Sequence, residues 1–249
     1  MGRGLVTAIG LILLWEAATH LLGLPPYILP APSQVATALW LRGEVLAHHA
    51  LITATEIAIG LVVGVALGTG TALLVVRSPL ARRWLMPVVI ASQAIPVFAL
   101  APLLVLWFGY GLASKIVMAA LVIYFPVAAA FFDGLRTTPP AWIELARTMG
   151  ASDGAILWRL RLPAALPALA QGLRIAAAVA PIGAVIGEWV GSGAGLGFLM
   201  LHANGRMQID LLFAALVVLA AMAITLYYGL DAILRRLVQW QPETLGRSR

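Results

Sequence analysis

The chain has 249 residues, of which 62% are hydrophobic and 10% charged, with a formal charge of +6 and a mean hydropathy of +0.98. A water-soluble fold of this composition would lack the polar surface to cover itself, so the chain reads as an integral membrane protein. Cysteine is absent, which excludes disulfides, thiolate chemistry and cysteine metal sites.

Apolar runs at about 5–24, 50–76, 84–108, 113–133, 168–190 and 210–234 are each long enough to cross a hydrocarbon core of about 30 Å as a helix. The expected fold is all-α and polytopic, with about six transmembrane helices. Arg3 precedes the first run, but the run's length and the lack of an Ala-x-Ala site after it identify a retained helix rather than a signal peptide. Glu16 and His20 stand one turn apart and are expected to pair. Residues 25–47 break the apolar pattern. Ser33 after Pro32 reads as a helix start, and Val35, Leu39 and Leu46 among Gln34, Arg42 and Glu44 predict a short helix along the outer interface, anchored by Trp40.

In the second run Gly60, Gly64 and Gly68 share one helix face, which predicts close helix packing. The turn from Arg77 to Arg83 is short and basic. The third run carries Pro87, Pro96 and Pro102 around Ser92 and Gln93, and the carbonyls freed by proline need partners in neighbouring helices or in a wet cavity. Two readings follow: a kinked helix lining a pathway, with Gln93 and Pro96 as candidates, or a kink buried in protein. Trp107, Phe108 and Tyr110 then mark an interface turn that ends at Lys115.

A polar, arginine-bearing island occupies about 136–165. Helix formers fill 141–149, Gly150 supplies a turn, and Ser152 can cap a second short helix whose apolar face includes Ile156, Leu157 and Leu160. Pro163 and Pro167 are expected to punctuate the return into the membrane. The island is either a rigid knob for a partner or an amphipathic loop lying on the bilayer.

The fifth run ends in Gly183, Gly187, Gly191 and Gly195, a smooth face whose last members are expected to unwind into an outer loop. Glu188 lies near that end. An ionisable group in a span is a functional candidate, so Glu188 and its neighbour Trp189 join the pathway-lining set; the plainer reading is that Glu188 reaches headgroups or water. Glu56, Asp133, Asp210 and Asp231 read as structural partners, and His48, His49 and His202 lack a matching ligand cluster, so no metal is expected.

With the N-terminus in the cytoplasm, 13 of the 16 basic residues fall inside or at the inner boundary, and only Arg42, Lys115 and Arg206 fall outside. This obeys the positive-inside bias, assigns the island to the cytoplasm, and explains the net charge by topology rather than by nucleic-acid binding.

The island runs Glu144-Leu-Ala146-x3-Gly150-x9-Leu160-x-Leu162-Pro163, which resembles the Glu-Ala-Ala-x3-Gly-x9-Ile-x-Leu-Pro signature loop of ABC-importer permeases. Leu145 and Leu160 depart from the pattern as apolar replacements, expected to keep a buried face. Leu-Pro-Ala-Pro-Ser at 29–33, Leu-Trp-Phe-Gly at 106–109, Leu-Pro-Ala-Ala-Leu-Pro at 162–167 and Glu-Trp-Val-Gly-Ser-Gly-Ala-Gly-Leu-Gly at 188–197 extend the resemblance, so that it spans Pro32 to about Trp240. It implies a type I importer permease with an N-terminal helix and outer loop over 1–31, a permease domain over 32–240 and a cytoplasmic tail over 241–249. Glu144, Ala146, Gly150, Ser152, Leu160, Leu162 and Pro163 would form the ATPase-coupling loop.

The resemblance further implies a bacterial inner-membrane protein with both termini cytoplasmic, a second copy of the permease, two ATP-binding subunits and a soluble substrate-binding protein. The sequence has no Gly-x4-Gly-Lys-Ser/Thr loop, so ATP and Mg would belong to the partner subunit, and no cofactor or enzymatic activity is expected of this chain. Relatives of this branch handle thiamine-precursor pyrimidines, sulfonates, taurine or nitrate, and residues 95–102 and 200–204 look closer to the pyrimidine-precursor members. The competing reading is an ion-gradient-driven secondary transporter in which Glu188 or Glu56 carries protons; no convincing internal repeat favours it. A membrane enzyme finds no catalytic motif here.

Overall fold

The computed structural model describes residues 2–240, the side chains of residues 2–5 and 92–94 excepted. The Gln93 side chain and the tail at 241–249 therefore lie outside the described residues, as do the side chains of Arg3, Arg247 and Arg249. Eleven helices and no strand are found among the described residues. The expected all-α, polytopic class holds.

The first run forms α1 (Gly2–Leu21), which is followed by α2 (Pro32–Leu41) and α3 (Gly43–Arg77). The outer helix starts at Pro32 rather than Ser33 and ends at Leu41. Residues from Gly43 onward join the second span instead, giving one helix of 35 residues. Ala31 has no side-chain oxygen to cap α2, and Glu16 substitutes for it: Ser33 N donates to Glu16 Oε2 at 2.9 Å and Ser33 Oγ to Oε1 at 2.7 Å. A carboxylate at a helix N-terminus also meets the positive end of the helix dipole. The expected Glu16–His20 pair is present at 3.0 Å, and Trp40 is 88% exposed.

The third run is not one helix. It divides at Ile95 and Pro96 into α4 (Pro79–Ala94) and α5 (Val97–Phe108). Pro96 has no N–H with which to continue the ladder, and the residue before a proline is held away from helical backbone, as Ile95 shows at φ −87° and ψ 119°. Pro87 and Pro102 remain inside α4 and α5.

Long spans follow in α6 (Leu112–Arg136), in a continuous helical stretch from Asp153 to Gly191, and in α11 (Ile209–Leu237). Together with α3 these make four helices long and apolar enough to cross a membrane, while Val6–Leu21 and Val97–Phe108 are shorter apolar helices.

The core is built from α3, α6 and the principal helix of the 153–191 stretch, α9 (Leu162–Gly191). Ile57, Ala119, Ile123, Val127, Ala176, Ala180 and Ala184 are buried where the three meet. Glycine sets their spacing. A Cβ at Gly60 would lie 2.5 Å from that of Ala119, one at Gly64 2.7 Å from Ile123, and one at Gly68 3.0 Å from Val127. The stripe read from sequence as a packing face is thus the seam between α3 and α6. Gly172 and Gly183 do the same between α9 and α6, at 2.7 Å from the Pro126 carbonyl oxygen and 2.9 Å from Ala119 Cα. In lipid no hydrophobic force draws helices together, so close backbone approach supplies the dispersion contact that holds them.

Candidate functional site

The polar island forms a compact knob. After Pro139, α7 (Pro140–Thr148) begins with proline in its first turn, where a missing N–H costs nothing. The helix then stops in a Schellman motif. Ala151 N donates to the Ala146 carbonyl and Gly150 N to that of Arg147, both at 2.9 Å, with Gly150 at φ +79°. Only glycine adopts that backbone freely, which is why the signature spacing has glycine there. Ser152 caps the next helix, α8 (Asp153–Ile156), by accepting from Ala155 N at 3.3 Å, as the sequence predicted.

Two expectations fail at the exit from the knob. Pro163 and Pro167 do not interrupt the return into the membrane: α8 runs through one π-helical turn (Leu157–Arg161) directly into α9. The wider turn ends just before Pro163, which lies in the first turn of α9, while Pro167 stays inside that helix. Leu145 does not keep a buried face either. It is 62% exposed, beside exposed Trp142 and Met149, because α7 buries no residue at all. Leu160 is half-buried, like Ala146 and Leu162, while Glu144, Gly150, Ser152 and Pro163 are exposed. The knob therefore brings the predicted coupling residues together on one projection.

Its root is firm. Ile156 and Leu157 are buried, and Leu157 packs with Val75, Phe131, Leu135 and Ala165 from α3, α6 and α9. Its exposed surface is held more loosely. Arg147 Nη2 and Asp153 Oδ1 are 3.4 Å apart across the turn, both largely in solvent, a pair worth at most about 1 kcal/mol. A cavity of about 440 Å³ lies against the knob between Arg77, Arg147, Asp153 and Arg161. A second, of about 630 Å³, is lined by Thr137, Trp142, Arg159, Pro163 and Trp240.

The pathway candidates do not gather in one place. Pro96 is exposed and precedes α5. Trp189 is 46% exposed and lines an apolar groove of about 720 Å³ with Pro181, Ile182, Leu201 and Asn204. Glu188 faces the other way and is 1% exposed, reaching neither headgroups nor water. It caps α10 (Leu196–Gly205), the second short helix whose N-terminus is held by a carboxylate from a preceding span. Thr53 Oγ1 donates to Glu188 Oε1 at 2.6 Å, and Gly197 N donates to Oε2. The two preceding N–H groups are also satisfied across helices: Leu196 N donates to Thr53 Oγ1 at 2.8 Å and Gly195 N to His49 Nδ1 at 2.9 Å. Gly195, at φ +113°, has no room for a Cβ against the Glu188 carboxyl.

Sequence reasoning missed Lys115. Assigned to an outer turn, it instead lies inside the first turn of α6, buried, with Nζ 2.8 Å from Glu56 Oε1. The remaining acids pair as expected at Asp133, with Arg136, and at Asp231, with Arg174 and Arg235.

The family described as "Binding-protein-dependent transport system inner membrane component" matches residues 60–241. A "Probable ABC transporter permease protein" of Haemophilus influenzae is 54% identical over 92% of this chain and 93% of its own. The "Riboflavin transport system permease protein RibX" of Chloroflexus aurantiacus is 40% identical over 95% of this chain and 89% of its own. The "Formylaminopyrimidine transport permease protein ThiX" of Halalkalibacterium halodurans is 35% identical over 93% and 92%. Among solved structures, an inward-facing conformation of the MetNI methionine ABC transporter aligns with a TM-score of 0.67 at 22% identity, covering 80% of this chain and 97% of that one.

Proposed function

The chain belongs to the family of binding-protein-dependent transport system inner membrane components and is a multi-pass permease subunit of an ABC importer, and from that premise we propose that its 136–165 knob is the docking element for a separate ATPase subunit. The observation that carries this reading is the exposure of Trp142, Leu145 and Met149 on a projection rooted in the core and continuous with a 39-residue helix. Exposed apolar side chains on a polar, arginine-bearing loop fit a partner groove, and an unbroken helix from Asp153 to Gly191 carries displacement of the knob into the span. Glu144 is exposed and enters no ion pair among the described residues, which leaves its carboxylate available to a basic group of the partner.

The absence of a phosphate-cradling loop argues that ATP and Mg are bound by that partner. Two permease copies with two ATPase subunits would form the pathway, and a soluble binding protein would deliver substrate from outside. The basic-residue bias argues for cytoplasmic termini. For the cargo, a nitrogen heteroaromatic of pyrimidine type is the best-supported class: formylaminopyrimidine, named in one relative, contains that ring, and riboflavin, named in another, contains it fused.

The deciding experiment reconstitutes the permease with its ATPase and compares the parent with Leu145→Glu/Met149→Glu. Charged replacements on an exposed face leave membrane yield unchanged and abolish ATPase binding. Retained binding would remove the docking assignment. Single cysteines placed at Ser152 and Ser192 test the orientation, because they must label from opposite sides of the membrane. Uptake of labelled pyrimidine and flavin compounds by the full transporter, with sulfonates as controls, tests the cargo class.

A further inference from the structure

Three ionisable side chains meet inside the helix bundle, remote from the knob. Glu56 of α3 and Glu188 of α9 are 0% and 1% exposed, and Lys115 of α6 is 7% exposed. Fully ionised, they would place two negative charges against one positive charge in a region shielded from solvent. An uncompensated buried charge is costly, and a bilayer surround offers no relief.

Among the described residues, no other packed element supplies the missing positive charge. The segment entering α10 contributes only backbone N–H groups, from Gly195 to Gly197. His49 on α3 accepts at Nδ1 from Gly195, so that nitrogen carries no proton, and His48 meets only its ring edge. His202 of α10 is exposed, with Nδ1 on the Phe198 carbonyl. From α11 the adjoining core receives Met222 and Leu226, and the α5 side contributes Ala101 and Leu104.

Hydrogen bonding makes the same demand independently. Glu56 Oε1 accepts from Lys115, but Glu56 Oε2 is buried without a donor. Thr53, which donates to Glu188 Oε1, stands one turn before Glu56 on the same face of α3, and Gly187, next to Glu188, lies against the Lys115 backbone, so the two carboxyl groups are brought face to face. Two carboxylates are acceptors only, so that contact is a hydrogen bond only if a proton lies in it. The charge count and the orphan acceptor are satisfied by one and the same particle.

We propose that Glu56 and Glu188 share a single bound proton, which brings the Glu56–Lys115–Glu188 cluster to zero net charge and completes the polar seam joining α3, α6, α9 and the start of α10. The proton is a resident part of the fold. Its two carboxyl groups are buried among the elements named above.

The test is infrared spectroscopy of the full chain in lipid, with wild type minus Glu56→Gln and wild type minus Glu188→Gln difference spectra in H2O and D2O. A shared proton gives one protonated-carboxyl C=O band that is lost in either variant alone, because Lys115 then balances the one remaining carboxylate. The absence of such a band in the wild type, or its survival in both variants, would overturn the proposal. Thermal unfolding provides a second readout if Glu188→Gln fails to fold for want of its cap on α10. Glu56→Gln keeps the wild-type midpoint, since its amide accepts from Lys115 and donates to Glu188 as the protonated acid does. Glu56→Gln/Glu188→Gln unfolds at lower temperature with Lys115 unbalanced, and adding Lys115→Met moves the midpoint back up. A midpoint for Glu56→Gln as low as that of the double variant would equally sink the idea.

Discussion

The helical stretch from Asp153 to Gly191 has two polar ends of opposite construction. At the knob end the polar groups are exposed, Arg147 and Asp153 meet loosely at 3.4 Å, and backbone geometry at Gly150 holds the shape. At the other end Glu188 is buried, and its hydrogen-bond partners come from α3 and the first turn of α10. The first end keeps its side chains available to a partner, while the second spends every hydrogen bond within the chain. Changes at the buried end should therefore appear as lost stability, and changes at the knob as lost coupling with little loss of stability.

The largest effect is expected from Lys115→Met, which leaves Glu56 Oε1 without its donor and the cluster without its only cation. Removing one partner of a buried pair costs about 3–5 kcal/mol, read as a lowered unfolding midpoint in detergent, while ATPase binding by the folded fraction is unchanged. An unaltered midpoint would erase the distinction between the ends.

Gly195→Ala comes next. It forces a side chain into a left-handed backbone region and into the Glu188 carboxyl, for roughly 2–4 kcal/mol from strain and overpacking together. Gly193 has open space around it and no positive φ, so Gly193→Ala is the matched control and should be neutral.

Gly150→Pro reverses the pattern. Proline cannot adopt φ +79° and removes the bond to the Arg147 carbonyl, so the Schellman turn is lost on the projection proposed to dock the ATPase subunit. No buried side chain moves, and the unfolding midpoint stays within about 1 kcal/mol of the parent. Uptake and ATPase coupling collapse. Membrane yield, ATPase binding and uptake measured together would separate this outcome from misfolding, and unchanged uptake would make the loop a passive linker.

The smallest effect belongs to Arg147→Ala. Its ion pair is solvent-exposed on both sides, and the stability change stays below about 1 kcal/mol. A loss comparable to that of Lys115→Met would show that exposure is a poor guide to how this molecule is held.

Several features were legible because their causes are local. The Gly150 turn and the Ser152 cap follow from backbone freedom and from a hydroxyl beside a helix start, and both appear where the residues predicted them. The glycine stripe of α3 was legible for the same reason, since Gly60, Gly64 and Gly68 share a face in any helix. Leu145 was misread because an apolar residue in an amphipathic segment looks the same whether it faces the core or a missing partner. Pro163 was misread because it follows closely on a π turn in an unbroken helical stretch, and Pro167 because it sits inside α9 without ending it.

The sequence by itself determined that this protein lives in a bilayer, where its four long spans run, and where a polar knob interrupts them. Those properties depend on apolar length, composition and residues a turn or two apart. The tertiary structure alone decided that Lys115 turns inward to Glu56, 59 positions away, and that Glu188 reaches Thr53 across 135 positions to cap α10. Such pairings depend on the rotation and depth at which helices dock. Glycine contacts at Gly60, Gly64, Gly172 and Gly183 set that register, and a shift of one residue, about 100° around a helix, would leave both glutamates facing lipid.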